Sequence, residues 1–277
     1  MKLLVIYNPF SGKGNNNKID KLKELLSPEF EIDEFRSYSV GSITRYIIND
    51  MKHDYDVVLI CGGDGTVNES LRAITKLDYY PKIAVYPSGT INDFAHYLKM
   101  SKNVKKTAEY ILNMKTIKHT IYHANDSAFV YGFALGALSN ISYEKSSGKR
   151  LFGRLSYYFI ALKEIFKSKT AHITLTSNNL NIETKCNLVL ATSTNRIAGY
   201  RIKKKNDLSV VIFKGLRFFY PIKLFMYFVF GIAKNKYELS EFSIYSDLNE
   251  FNTDGECNNS YSTINIKKLK EYDFISK

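Results

Sequence analysis

Three short apolar runs, each closed by a polar, glycine-bearing loop, dominate the first part of the chain. Lys2-Leu3-Leu4-Val5-Ile6-Tyr7, Asp56-Val57-Val58-Leu59-Ile60-Cys61 and Lys82-Ile83-Ala84-Val85-Tyr86 are continuous rather than alternating. That is the pattern of strands covered on both faces. Phe30-Glu31-Ile32-Asp33-Glu34-Phe35 alternates instead, as a half-exposed strand does. Between the runs the apolar positions take helical spacing: Ile19, Leu22, Leu25 and Leu26; Ile43, Tyr46, Ile47 and Met51; Leu71 and Ile74 within residues 67–75. Strands alternating with helices over roughly the first 115 residues predict a doubly wound parallel sheet.

After a helix ending near Asn113 the texture changes. Residues 129–133, 172–176, 188–191, 208–213 and 242–245 are short β-type runs bounded by Asn, Ser, Gly or Lys. They predict a mostly antiparallel second domain, entered between residues 115 and 125. Two helical patterns interrupt it. One, over residues 155–167, is apolar at Tyr158, Leu162, Ile165 and Phe166; the other, over residues 220–233, is unusually apolar and aromatic. The second fits core packing, or a face lying against lipid.

Composition narrows the partners. A chain of 277 residues that is 45% hydrophobic and 24% charged is globular, but its formal net charge of +12 favours an anionic partner. Cys61, Cys186 and Cys257 are odd in number and widely spaced, which suits neither a disulfide framework nor a metal cluster. The opening apolar run stops at Asn8-Pro9, and no run reaches membrane-spanning length. A basic, soluble, cytoplasmic protein is the expectation. Nothing matches a nucleic-acid motif, so no nucleic-acid partner is expected.

The chemistry is concentrated in the loops. Gly62-Gly63-Asp64-Gly65-Thr66-Val67-Asn68-Glu69 follows a buried strand and opens a helix. That arrangement aims backbone N–H groups and a positive helix end at a phosphate. Asp64 inside such a loop repels phosphate unless it handles a metal ion or a proton; a tight turn with a solvated Asp is the plain alternative. Asn8-Pro9-Phe10-Ser11-Gly12-Lys13-Gly14 is not a Walker A sequence, yet it sets a hydroxyl, bare backbone and an ammonium at a strand end. Pro87-Ser88-Gly89-Thr90-Ile91-Asn92-Asp93 closes a third strand. Ligands of such sheets bind beyond the carboxyl ends of the strands, where all three loops fall.

In order and spacing these three blocks, with Asn252-Thr253-Asp254-Gly255-Glu256 near the far end, resemble the signature blocks of the diacylglycerol kinase catalytic-domain family. That family includes sphingosine, ceramide and bacterial soluble lipid kinases. The resemblance implies an ATP- and Mg²⁺-dependent kinase for a lipid hydroxyl at the membrane surface. It also implies an α/β nucleotide-binding domain, residues 1–118, and a β-sandwich domain, residues 119–266, flanking a cleft, with residues 267–277 returning to the first. Carried over residue by residue, it puts Asn8, Ser11, Gly12 and Lys13 near the nucleotide phosphates. Gly62, Gly63, Asp64, Gly65, Thr66, Asn68 and Glu69 wrap them, with Asp64 in a Mg²⁺–water network. Ser88, Gly89, Thr90, Asn92 and Asp93 also bind nucleotide, and Ser37 supplies the hydroxyl that the family carries as Thr. Glu256 matches the general base and Asp254 helps hold the catalytic network.

One stretch departs. Bacterial members hold a structural Mg²⁺ in an acidic loop. Here the matching residues are Arg201-Ile202-Lys203-Lys204-Lys205-Asn206-Asp207-Leu208, in which only Asp207 remains, beside cation-repelling lysines. That metal site is therefore expected to be absent or weak. The basic run suits anionic lipid headgroups, or simply solvent. An NAD kinase shares the Gly-Gly-Asp-Gly-Thr block, and a nucleotide-binding module without catalysis is the third reading. The acceptor lipid and the oligomeric state stay open, a homodimer included.

Overall fold

The computed structural model describes residues 1–9, 16–137, 170–178, 180–197, 199–202, 208–215, 219–248, 250–259 and 262–277. The chain divides into two compact units: Met1–Thr120 with Lys270–Lys277, and Ile121–Leu269.

The first unit alternates strand and helix: β1 (Lys2–Tyr7), α1 (Asn16–Leu26), β2 (Glu31–Arg36), α2 (Ser42–Asn49), β3 (Val57–Gly62), α3 (Asp64–Ile74), β4 (Lys82–Pro87), α4 (Asp93–Tyr97) and α5 (Val104–Asn113). The strands run parallel in the order β2-β1-β3-β4. The continuous apolar runs became the interior strands, and the alternating one became the edge. On one face Leu3, Val5, Val57, Leu59 and Ala84 pack under Ile19, Leu22 and Leu26 of α1 and Ala108 and Ile111 of α5. The alternate residues, Leu4, Ile6, Val58, Ile60, Ile83 and Val85, point the other way and are equally buried. There α3 packs on β3 and α2 on α3. Each buried Val, Leu or Ile among them contributes roughly 1.5–3 kcal/mol.

In the second unit come β5 (Thr116–Ala124, which begins in the first), β6 (Ser127–Phe129), β7 (Gly132–Gly136), β8 (Ala171–Ser177), β9 (Leu180–Cys186), β10 (Leu188–Thr192), β11 (Arg196–Ile197), β12 (Tyr200–Arg201) and β13 (Leu208–Phe213). Helix α6 (Tyr220–Phe230), β14 (Lys236–Leu239), β15 (Phe242–Ser246), β16 (Glu250–Thr253), β17 (Glu256–Asn259) and β18 (Thr263–Ile275) follow. An antiparallel sheet of order β14-β13-β10-β7-β16-β17 faces the antiparallel strands β18-β15-β8-β9. Phe133, Leu135, Val189, Val210 and Ile212 from the first meet Ile173, Leu175, Ile244, Ile264 and Ile266 from the second. This is a β-sandwich core. The outer face of the first sheet, Leu188, Leu190, Val211 and Phe213, is covered by Leu224 and Tyr227 of α6. The end of β18 leaves this unit and pairs parallel to β4 in the first, Phe274 beside Ile83.

Two local expectations shift. Helix α3 begins at Asp64, not Val67: Gly63 caps it in extended conformation, and a carboxylate at the first helical position suits the positive helix end. The run 129–133 is two strands, not one, because another residue takes the N–H groups of Val130 and Tyr131 (below). The helical pattern over residues 155–167 lies outside the described residues.

Candidate active site

Parallel register brings the loops to one edge. Tyr7 is level with Arg36 and Cys61, and Gly62 with Pro87, so Asn8, Ser37, Gly63 and Ser88 all leave the sheet at the carboxyl ends of their strands. Backbone bonds run on past the strands: Asn8 N–H donates to Cys61 O, Ser37 N–H to Tyr7 O and Ser88 N–H to Gly62 O. Ser11, Gly12 and Lys13 lie outside the described residues.

The loops after β3 and β4 meet backbone to backbone. A Cβ on Gly89 would come within 2.5 Å of Gly63 Cα, and one on Gly63 within 3.2 Å of Gly89 Cα. Glycine is required at position 89 by this approach, and a Cβ at position 63 would press on the backbone opposite. Asn92 holds the second loop in shape: its Oδ1 accepts from Gly89 N–H at 2.8 Å and its Nδ2 donates to Gly89 O at 2.7 Å. It does so from a left-handed conformation, φ 57°, which Asn tolerates better than most residues. Thr66 is buried against Gly62, where a Cβ would overlap its own at 2.3 Å. Gly65 differs: a Cβ there would meet nothing within 4 Å. The first intrahelical bond of α3 runs from Val67 N–H to Gly63 O. The N–H groups of Asp64, Gly65 and Thr66 therefore have no acceptor within the helix.

Asp64 sits at this junction, buried, with Oδ1 accepting from Phe94 N–H at a long 3.4 Å. Burial first, and then the buried carboxylate of Asp93, push its pKa up to about 7; the backbone N–H groups of Phe94, Asn92 and Asp93 pull the other way. A buried carboxylate so poorly compensated has a strong demand for a cation or a proton. Among the described residues no three His, Cys, Asp or Glu side chains gather into a metal-binding group.

Other candidates from the sequence have structural duties. Glu69 Oε1 accepts from Ile43 and Thr44 N–H at 3.1 and 3.2 Å, capping α2, whose own N-cap Gly41 supplies no side chain. Ser37 is buried, its hydroxyl 3.2 Å from that of Ser42. Thr90 is exposed. A group the sequence did not single out, His119, lies behind α4: its Nδ1 is 3.3 Å from the Tyr97 hydroxyl, and its ring packs edge-on to Phe94 and Phe274. It fixes Phe94, whose N–H faces Asp64.

In the second unit the Asp-Gly-Glu block is a hairpin turn. Thr253 pairs with Glu256, and Asp254 and Gly255 both take positive φ, 53° and 88°. That is the two-residue turn whose twist suits antiparallel strands, and Asp-Gly is its favoured sequence. Asp254 is buried: Oδ2 accepts from Val130 N–H at 2.6 Å and Oδ1 from Tyr131 and Gly132 N–H at 3.0 and 2.8 Å. Its own N–H donates to Gly132 O. This pins the hairpin to the β6–β7 connection and breaks the run 129–133. Asn252 Oδ1 accepts from Gly255 N–H at 2.7 Å, and Asn258 Nδ2 donates to Thr253 Oγ1 at 2.8 Å. Glu256 is exposed at the first position of β17. Asp207 and the run 203–207 around it lie outside the described residues.

Known proteins share this plan. Residues 2–124 match the family model for the diacylglycerol kinase catalytic domain. The chain is 30% identical over 199 residues to the diacylglycerol kinase of Staphylococcus haemolyticus (strain JCSC1435), a match covering 71% of this chain. It is 28% identical over 199 residues to that of Staphylococcus carnosus (strain TM300). The matches span 60% and 65% of those relatives' lengths. A crystal structure of a diacylglycerol kinase from Bacillus anthracis str. Sterne has the same fold, with TM-score 0.81 at 22% identity, covering 100% of this chain and 97% of that one. A second structure from that organism reaches 0.83. Residues 2–124 are therefore similar to the diacylglycerol kinase catalytic domain, and the chain spans less than two thirds of the relatives that it matches.

Proposed function

We propose that the chain is an ATP-dependent lipid kinase that transfers the γ-phosphate of ATP to the hydroxyl of diacylglycerol, giving phosphatidic acid, at an anionic membrane surface. The observation that carries this reading is the junction at Asp64. There a buried carboxylate, raised by burial and by Asp93, lies at a helix start whose first N–H groups have no acceptor within the helix and where a Cβ on Gly65 would meet nothing. Phosphate suits the helix start and a divalent cation suits the carboxylate. The family match supports the same chemistry.

Asp64, with Asp93 beside it, would hold Mg²⁺, which supplies charge neutralisation of the phosphates when bound. The backbone of Gly63 and Gly65 and the loop carrying Ser88, Gly89, Thr90 and Asn92 would position the nucleotide. Glu256, exposed at the start of β17, would remove the proton from the acceptor hydroxyl as it attacks phosphorus. Asp254 is a positioning residue: its carboxylate accepts from the backbone N–H groups of Val130, Tyr131 and Gly132 and holds the hairpin that carries Glu256.

Transfer of label from γ-labelled ATP to diacylglycerol, sphingosine, ceramide, phosphatidylglycerol and NAD tests the reading. Label on diacylglycerol in the presence of Mg²⁺ is expected. Label on NAD alone, or on no acceptor, would overturn it.

A further inference from the structure

The outer face of α6 is apolar from end to end. Ile222, Phe225, Val229 and Phe230 are each about half exposed or more, and Phe219 and Ile232 extend the stripe beyond both helix ends. Their spacing of three, four and one places them on one side of a helix, opposite Leu224 and Tyr227, which pack on the sheet beneath. Single exposed apolar side chains are ordinary, but six in one stripe are not. Lys223 is the helix's single charged residue, and none is acidic.

The sequence around the stripe is strongly basic. Residues 187–235 hold nine Lys and Arg against one acidic residue, Asp207, and so carry most of the net charge of +12; the remainder of the chain is close to balanced. An apolar stripe within a basic segment complements one kind of surface: acyl chains beneath anionic headgroups. At 11 residues the helix is about 16 Å long, too short to cross a bilayer core of about 30 Å. Among the described residues no helix is long and apolar enough to cross a membrane. It can only lie in the interface. Its inner side is already committed to the sandwich, which takes the place of the polar face of a free interfacial helix.

We infer that α6 is the docking element of the protein: the stripe of Ile222, Phe225, Val229 and Phe230 seats in the headgroup–acyl boundary of an anionic bilayer. This rests on the reading of the protein as an enzyme of the membrane surface, but docking is measured without ATP, so its failure and the failure of catalysis are separable.

The chain contains no Trp, so Phe225→Trp introduces a single indole at an exposed position. On phosphatidylcholine–phosphatidylglycerol vesicles its emission is expected to shift to the blue and to be quenched by lipids brominated on the acyl chain. The double variant Ile222→Ser/Phe230→Ser, checked for folding by circular dichroism, is expected to lower vesicle affinity at least tenfold. Tyr245→Ser, an exposed aromatic on β15, is expected to leave it unchanged. An unshifted indole on vesicles that sediment the protein would place docking elsewhere and overturn the inference. So would failure to sediment with vesicles at all. An indole already shifted without lipid, with a dimer mass in light scattering that the double variant abolishes, would show a second copy on the stripe and overturn it as well.

Discussion

Asp64 and Asp254 are both buried aspartates beside glycine at the end of a strand, yet their surroundings are opposite. Asp254 accepts three short bonds from consecutive backbone N–H groups, so its carboxylate is satisfied by the protein itself. Asp64 is drawn down by the backbone N–H groups of Phe94, Asn92 and Asp93, the first at a long 3.4 Å, yet burial and the neighbouring carboxylate of Asp93 push it up to about 7. The first is a structural staple. The second is left with an electrostatic demand that the fold does not meet, and such demand is what a cation-handling site needs. Residue type and glycine context are the same; the short bonds at Asp254 and the second carboxylate beside Asp64 separate the roles.

The sharpest way to break this contrast is to remove the staple. Asp254→Ala strands three buried N–H groups and should cost about 4 kcal/mol in urea unfolding; a loss under about 1 kcal/mol would mean the bonds are not structural. At Asp64 the opposite sign is expected. Its folded pKa is raised, so the stability it contributes is full below the ordinary carboxyl range and is lost as pH rises through about 7. Asp64→Asn should therefore gain on the native protein by on the order of 3 kcal/mol at pH 8, and the gain should vanish toward pH 4. A variant less stable at pH 8 would contradict it. Gly89→Ala presses on Gly63 and should cost about 2 kcal/mol. Gly65→Ala meets nothing and should move stability by less than about 1 kcal/mol. If an anion does approach the bare backbone there, the same variant should weaken ATP binding at least tenfold in calorimetry.

The fold class was legible because buried parallel strands write themselves as uninterrupted apolar runs, as at Val57-Val58-Leu59-Ile60. Strands that face water on one side were harder. Leu180–Cys186 and Thr263–Ile275 mix Lys, Glu and Asn into their alternation and read as polar segments. Tertiary detail at the candidate site was not legible at all. Nothing local says that Gly63 and Gly89 touch, that Glu69 caps a different helix, or that Asp254 reaches back 124 residues to Val130. The motif at 254–256 reads equally as a turn or as catalytic acid chemistry. The structure shows the turn, and the exposed Glu256 at its end is compatible with both.

Glu256→Gln decides between them. The side chain keeps its shape and loses its basicity, and at an exposed position stability should change by less than about 0.5 kcal/mol. Transfer of labelled phosphate from ATP to diacylglycerol in mixed vesicles, measured beside an ATP-binding isotherm, is the direct test. The expected result is turnover lower by roughly 10²- to 10⁴-fold with ATP affinity unchanged. Turnover equal to that of the native chain would contradict the account and leave the hairpin as a turn and nothing more.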